Sequence, residues 1–294
     1  MLPNVGGLMF RFSFFLAVLF CVSTSLQAQL ATSLRLSKKT YVAGEPVIAE
    51  IIITNHSGRE LALASSRQLP WLAVTVTDSR GNPVATRRLN TFGAMKIKVG
   101  ESLAKQVDLT QLFYLDNQGN YAVSAVVRDP SERVQGASTN RVLFNLNPGR
   151  KYWSQKVGVN SDAGSGTREF RLLVFTAGQK SQLFAQLIDS ETGTKIRTFL
   201  LGDALMLRAP MITLDGKQRM HVMFMATPTM WVHCQVSADA KLVARDIHQR
   251  AAQGDPVLMA YGDGSVRVVN SVPYDAAAVK EQESKIRKAS ERPH

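Results

Sequence analysis

Cysteine is nearly absent from this chain. There are two in 294 residues, and Cys21 falls inside the first apolar run. If that run is removed, Cys234 is left without an intramolecular partner, which excludes a disulfide framework and leaves a hydrophobic core to hold the fold. Histidine is also sparse, at five residues. No Gly-x-Ser-x-Gly elbow occurs, and no phosphate loop followed by lysine. No apolar run approaches the roughly 20 residues that cross a bilayer; the longest, Phe12 to Val22, has about eleven. That excludes a stable membrane-spanning helix. Although 35 Lys+Arg exceed 23 Asp+Glu, for a net charge of +12, the excess is spread along the chain. Nucleic-acid binding is not expected without a basic patch or helix.

The amino terminus carries an export address. Arg11 precedes the apolar run, a polar stretch follows, and Ala28 supplies the small residue read by signal peptidase. Residues 1–28 are expected to be a signal peptide cleaved near Ala28, giving a periplasmic or secreted protein. Phe20 before Cys21 argues against lipidation, which favours a small residue there. In an oxidising compartment a lone exposed thiol invites dimerisation, so Cys234 is expected on the buried face of a strand with Met230, Val232 and Val236.

From Val47 onward the alternation has period two. Val47, Ala49, Ile51 and Ile53 can share a buried face while Glu50 stays wet, and Leu72, Val74 and Val76 repeat the pattern. Asn55-His-Ser-Gly58 and Asp78-Ser-Arg-Gly-Asn-Pro83 supply turns. Further strands are expected at residues 121–127 and 141–146. Tyr41-Val-Ala-Gly-Glu45, Gly100-Glu101 and Gly119-Asn-Tyr121 fall in the order seen in immunoglobulin-like bacterial modules. Residues 32–148 thus resemble macroglobulin-type or proteinase-inhibitor-like β-sandwiches. That resemblance implies a fold and carries over no inhibitory or reactive site.

After Asn147-Pro-Gly149 the pattern changes. Ala209-Pro-Met-Ile-Thr-Leu-Asp-Gly216 is echoed by Asp255-Pro-Val-Leu-Met-Ala-Tyr-Gly-Asp-Gly264. Strands at 211–214, 219–225, 230–236 and 241–247 would make one unit resembling a β-propeller blade, with residues 170–176 and 183–188 as a degenerate earlier copy. The fold class is therefore all-β: an N-terminal immunoglobulin-like sandwich, then an antiparallel β-meander with blade-like repeats over residues 152–272. Too few units are present for one chain to close a ring; oligomerisation would be one route. Residues 275–294 form a charged tail, expected to be solvated.

The candidates for chemistry each have a structural reading. His221 and His233 would face each other if the intervening turn centres on Thr227, but a zinc site needs a third or fourth ligand, and His248, Asp215 or Asp246 would have to approach unpredicted. Cross-strand packing is the expectation. Gly164-Ser-Gly-Thr167 reads as a flexible turn, His56 as a turn residue without a partner, and Asp116–Asn120 and Asp162 as turns lacking a full calcium loop. Trp71, Trp153 and Trp231 could line a groove but read as core. No catalytic, cofactor-binding or metal-ligating residue is assigned, and no cofactor is expected. The sequence points to a non-catalytic envelope or secreted binding or scaffold protein whose partner is a protein or an envelope polymer. The alternative is a hydrolase with a dispersed active site.

Overall fold

The computed structural model describes residues 30–65, 69–88, 92–129, 136–161, 164–177 and 180–274; the proposed signal peptide, Asp162 and the charged tail lie outside them. The fold is all-β; among the described residues there is one helical turn, α1 (Leu109–Leu112), capped by the Asp108 carboxylate. No helix among the described residues is long and apolar enough to cross a membrane.

Two sheets enclose the first core. One pairs β1 (Leu30–Leu36), β3 (Ile48–Asn55) and β7 (Ser102–Asp108). The other orders β2 (Thr40–Val42), β10 (Val142–Asn147), β8 (Gly119–Val127) and β5 (Leu72–Asp78), with β9 (Ala137–Ser138) beside β8. The expected alternation is observed: Val47, Ala49, Ile51 and Ile53 are buried on one face of the β3 segment, and Leu72, Val74 and Val76 on one face of β5. These side chains meet Tyr41, Trp71, Phe113 and Phe144 in a single cluster. A small sheet of β4 (Leu61–Leu63) and β6 (Met95–Ile97) adds Leu63 and Ile97 to it. The turns behave as their chemistry requires. Asp78 Oδ1 accepts from the backbone N–H groups of Arg80 and Asn82, and Gly81 takes φ +84°.

Beyond Gly149 come two antiparallel meanders. The first is β11 (Arg150–Ser161), β12 (Gly164–Ala177), β13 (Lys180–Asp189) and β14 (Lys195–Ala204). The second is β15 (Met211–Leu214), β16 (Met220–Thr227), β17 (Met230–Val236) and β18 (Leu242–Arg250), with β21 (Ser271–Pro273) at its edge. A separate hairpin, β19 (Val257–Ala260) and β20 (Val266–Val269), completes a propeller-like arrangement of small sheets. The blade expected at residues 211–247 is this second meander. Its echo forms only the two strands of the hairpin, and the paired turns touch: Gly216 N–H donates to Gly264 O at 2.7 Å. Gly164–Thr167 corrects the sequence reading. The segment opens β12 and pairs in register with Ser161 back to Gly158, so it is strand and not a loop.

The second core lies between the meanders: Phe170, Leu172, Leu183 and Leu187 pack with Val222, Phe224, Val232 and Cys234. A short segment joins the two cores. Val42 packs on Leu173 and Phe184. Next to it, Ala43 O accepts from Gln186 Nε2 at 3.0 Å and Thr198 Oγ1 at 3.1 Å, both donors being buried.

Candidate functional site

One face of β16 and β17 turns towards the second core. Alternation sends the residues between to the opposite face, so His221 and His233 share that opposite face with Met223, Met225 and Trp231. The hairpin turn is centred one residue later than expected. His221 stands opposite Gln235, and His233 opposite Met223. The two histidines are therefore diagonal neighbours, not a facing pair, yet His221 Nδ1 and His233 Nε2 lie 3.0 Å apart with ring planes within 21°.

The chain of contacts continues in both directions. Asp215, at the start of the turn that follows β15, receives the backbone N–H of Lys217 and of Arg219 on Oδ1, while Arg219 Nε binds Oδ2 at 2.6 Å. His221 Nε2 lies 3.2 Å from the same Oδ2. Burial opposes the charge on Asp215, but the Arg219 backbone and guanidinium and the His221 ring outweigh it and hold the carboxyl below its ordinary value. An anionic carboxylate fixes the tautomers in sequence. His221 donates from Nε2 to Asp215, its Nδ1 accepts from His233 Nε2–H, and the remaining lone pair of His233 is on Nδ1. On the far side His248, opposite Trp231 on β18, has its ring 6.1 Å from that of His233. Both of its nitrogens are buried without a hydrogen-bond partner.

This arrangement is sealed. His221 is 1% exposed and His233 4%. Burial, then the neighbouring His221 and His248, push His233 down to about 4 against a weaker pull from Asp246. Burial also lowers His221, against Asp215, and His248, against Asp246. All three imidazoles are neutral at pH 7. A metal held by two imidazoles needs both nitrogens aimed at a point about 2.0–2.1 Å from each. His221 and His233 instead aim theirs at one another, and among the described residues no group of three His, Cys, Asp or Glu side chains is placed to hold an ion.

No family model matches this chain, and no curated protein matches it. Among solved structures, the sporulation control protein Spo0M of Bacillus subtilis is similar over 57% of this chain and 83% of its own, at 9% identity and a TM-score of 0.29. That similarity is too slight to bear on function.

The other candidates resolve individually. Trp71 is fully buried, donating to the Phe92 and Gly93 carbonyls, Trp231 is buried beside Met223 and Met225, and Trp153 packs partly buried against the second core. Asp116 pairs with Arg87 at 2.6 Å, the Asn117 carbonyl accepts from Tyr121, and His56 is exposed. A cavity of about 500 Å³ lies where Arg87, Arg88 and Asp108 approach Lys195 and Arg197; a second, of about 370 Å³, adjoins it near Asn117 and Lys151. Neither is lined by a histidine, so neither couples to the Asp215–His233 chain. The sequence put His221 and His233 on one face but gave Asp215 no route to them; the Asp215-x-x-x-Arg219 turn was the available signal.

Cys234 occupies the expected face with Val232 and Val236 and is fully buried. Burial pushes its thiol up to about 11, overcoming the nearby Arg245. At pH 8 the thiol form therefore predominates strongly over the reactive thiolate. Peptide-level mass spectrometry is expected to find Cys234 unmodified by iodoacetamide in native protein and fully alkylated in denaturant.

Proposed function

We propose that this is a non-catalytic binding or scaffold protein of the bacterial envelope, exported after cleavage near Ala28. Residues 32–148 form an immunoglobulin-like sandwich, residues 152–272 a blade-like module, and the partner is a protein or an envelope polymer. The carrying observation is the outer edge of β18. β21 pairs only with His248, Gln249 and Arg250, and Tyr274 N–H reaches Ile247 O; the edge from Leu242 to Asp246 has no partner strand among the described residues. Val243 (52% exposed) and Leu242 lie on it, and Ile247 just beyond it and Val272 of β21 are also exposed. An unpaired edge flanked by apolar side chains supports docking of an extended segment.

The hydrolase reading keeps one supporting feature: a carboxylate that orients a histidine supplies two of the three members of a catalytic triad. Among the described residues no hydroxyl or thiol is bonded to either histidine, and both rings are buried. A photo-crosslinking residue at Val243 in intact cells is expected to give a discrete adduct with a periplasmic or cell-wall component. The same residue at Glu50 on β3, which is paired along both edges, is expected to give none. Equal labelling from both positions, or recovery of uncleaved protein in the cytosol, would remove the reading. Ester or glycoside hydrolysis lost in His233→Gln would replace it with the hydrolase.

A further inference from the structure

The face bearing the three histidines is roofed by a sheet of only two strands. Leu258 of β19 and Val268 of β20 pack on Met223, Met225 and Trp231, and the Gly216–Gly264 hydrogen bond pins the turn of the hairpin. A two-stranded hairpin is marginal by itself, so its position depends on that face. β16 and β17, by contrast, are paired along both edges and pack on the second core with their other face.

We propose that the His221–His233–His248 row is an acid-operated catch, whose protonation releases the β19–β20 hairpin from the sheet and uncovers Met223, Met225 and Trp231. The three rings can be neutral together, but they cannot all be charged where they lie. An imidazolium on His233 would have His221 3.0 Å away on one side and the His248 ring on the other, in a setting where an unpaired charge is costly.

The surrounding charges do not remove the conflict. Among the described residues Asp215 is the one buried carboxylate touching the row, and it already holds Arg219. Asp246 on β18 is exposed and favours the charged form of His233 and His248 only partly. The hairpin supplies no counter-ion: Asp263 is bonded to Ser265, and Arg267 lies over the exposed Tyr261 ring. Asp255, before β19, is held by Arg208 and Arg250, and β21 carries no charge.

The direction of the response follows. In the docked state the histidines bind protons less readily than in the released state, where they return towards 6.5. The docked form therefore has its full advantage above pH 6.5 and loses it as pH falls towards about 4, where docked His233 titrates. Each additional proton bound on release makes the opening equilibrium up to tenfold larger per pH unit.

Hydrogen exchange of the full chain, corrected for the intrinsic pH dependence of exchange, tests this at pH 7 and pH 5. Protection of residues 257–269 is expected to fall at least tenfold at pH 5 while β12 and β13 keep theirs, and Trp231 emission should shift to the red. His248→Leu, which removes no hydrogen bond, and His233→Gln are each expected to reduce the pH response of the hairpin. Unchanged protection at pH 5, loss of the hairpin and β12–β13 together, or a full response in both variants would overturn the proposal. It is independent of the crosslinking result at Val243.

Discussion

Phe224→Ala is expected to lower the unfolding free energy by about 3–5 kcal/mol, the usual cost of emptying a buried aromatic site that cannot collapse. Phe224 is 1% exposed and joins the two meanders. Its ring lies against Gly202 of β14, where an added Cβ would meet Phe224 Cζ at 3.3 Å and Arg245 Nη2 at 3.2 Å. Gly202 also has φ +150°, which side-chain-bearing residues rarely adopt, so β14 cannot advance a larger residue into the space. Urea unfolding followed by Trp231 fluorescence measures the loss. A change below about 1 kcal/mol would mean that the meanders do not share a core.

Asp215→Ala is expected to cost about 3 kcal/mol, because it strips the acceptor from the Lys217 and Arg219 backbone N–H groups, the Arg219 guanidinium and His221 Nε2–H. The effect should depend on pH in a defined sense. Asp215 titrates below its ordinary value in the fold, so its charge contributes fully above about pH 4 and is lost as pH falls through the lowered value. Wild type and variant should therefore converge in strong acid. Combining Asp215→Ala with His221→Ala should cost less than the sum, since both remove one hydrogen bond. Strict additivity, from thermal unfolding of the four proteins, would show that the link is not formed.

The strands that could be read in the sequence were those with one dry face. β3 and β5 alternate cleanly because the first core takes every second residue. β7 was not legible, since only Val107 of Ser102–Asp108 is fully buried and Lys105 interrupts the face it shares with Leu103. β14 escaped for the same reason: Lys195, Arg197 and Thr198 interrupt its apolar residues, yet Thr198 is buried because it bonds Ala43 from another part of the chain. The histidine pair was legible as far as its face, because strand parity survives a shift in the centre of the hairpin. Its partners were not. Asp215 reaches His221 through a turn whose backbone folds onto its own carboxylate, and His248 arrives by the β17–β18 register, which slips between Gln235 and Val236. Such irregularities are set by packing and leave no mark on local alternation.

The short strand β2 imposes an order on assembly. It pairs in parallel with β10, Thr40 to Val42 lying beside Asn145 to Asn147, across a long stretch of chain. A nascent polypeptide emerging amino terminus first exposes Tyr41 and Val42 well before their partner strand exists, and the loop they close is among the slowest kinds to form. The same segment then presents Val42 and the Ala43 carbonyl to Phe184, Gln186 and Thr198. Seating β10 thus readies the cradle on which β13 and β14 settle, so a lesion at Tyr41 or Val42 would delay maturation of residues more than a hundred positions downstream.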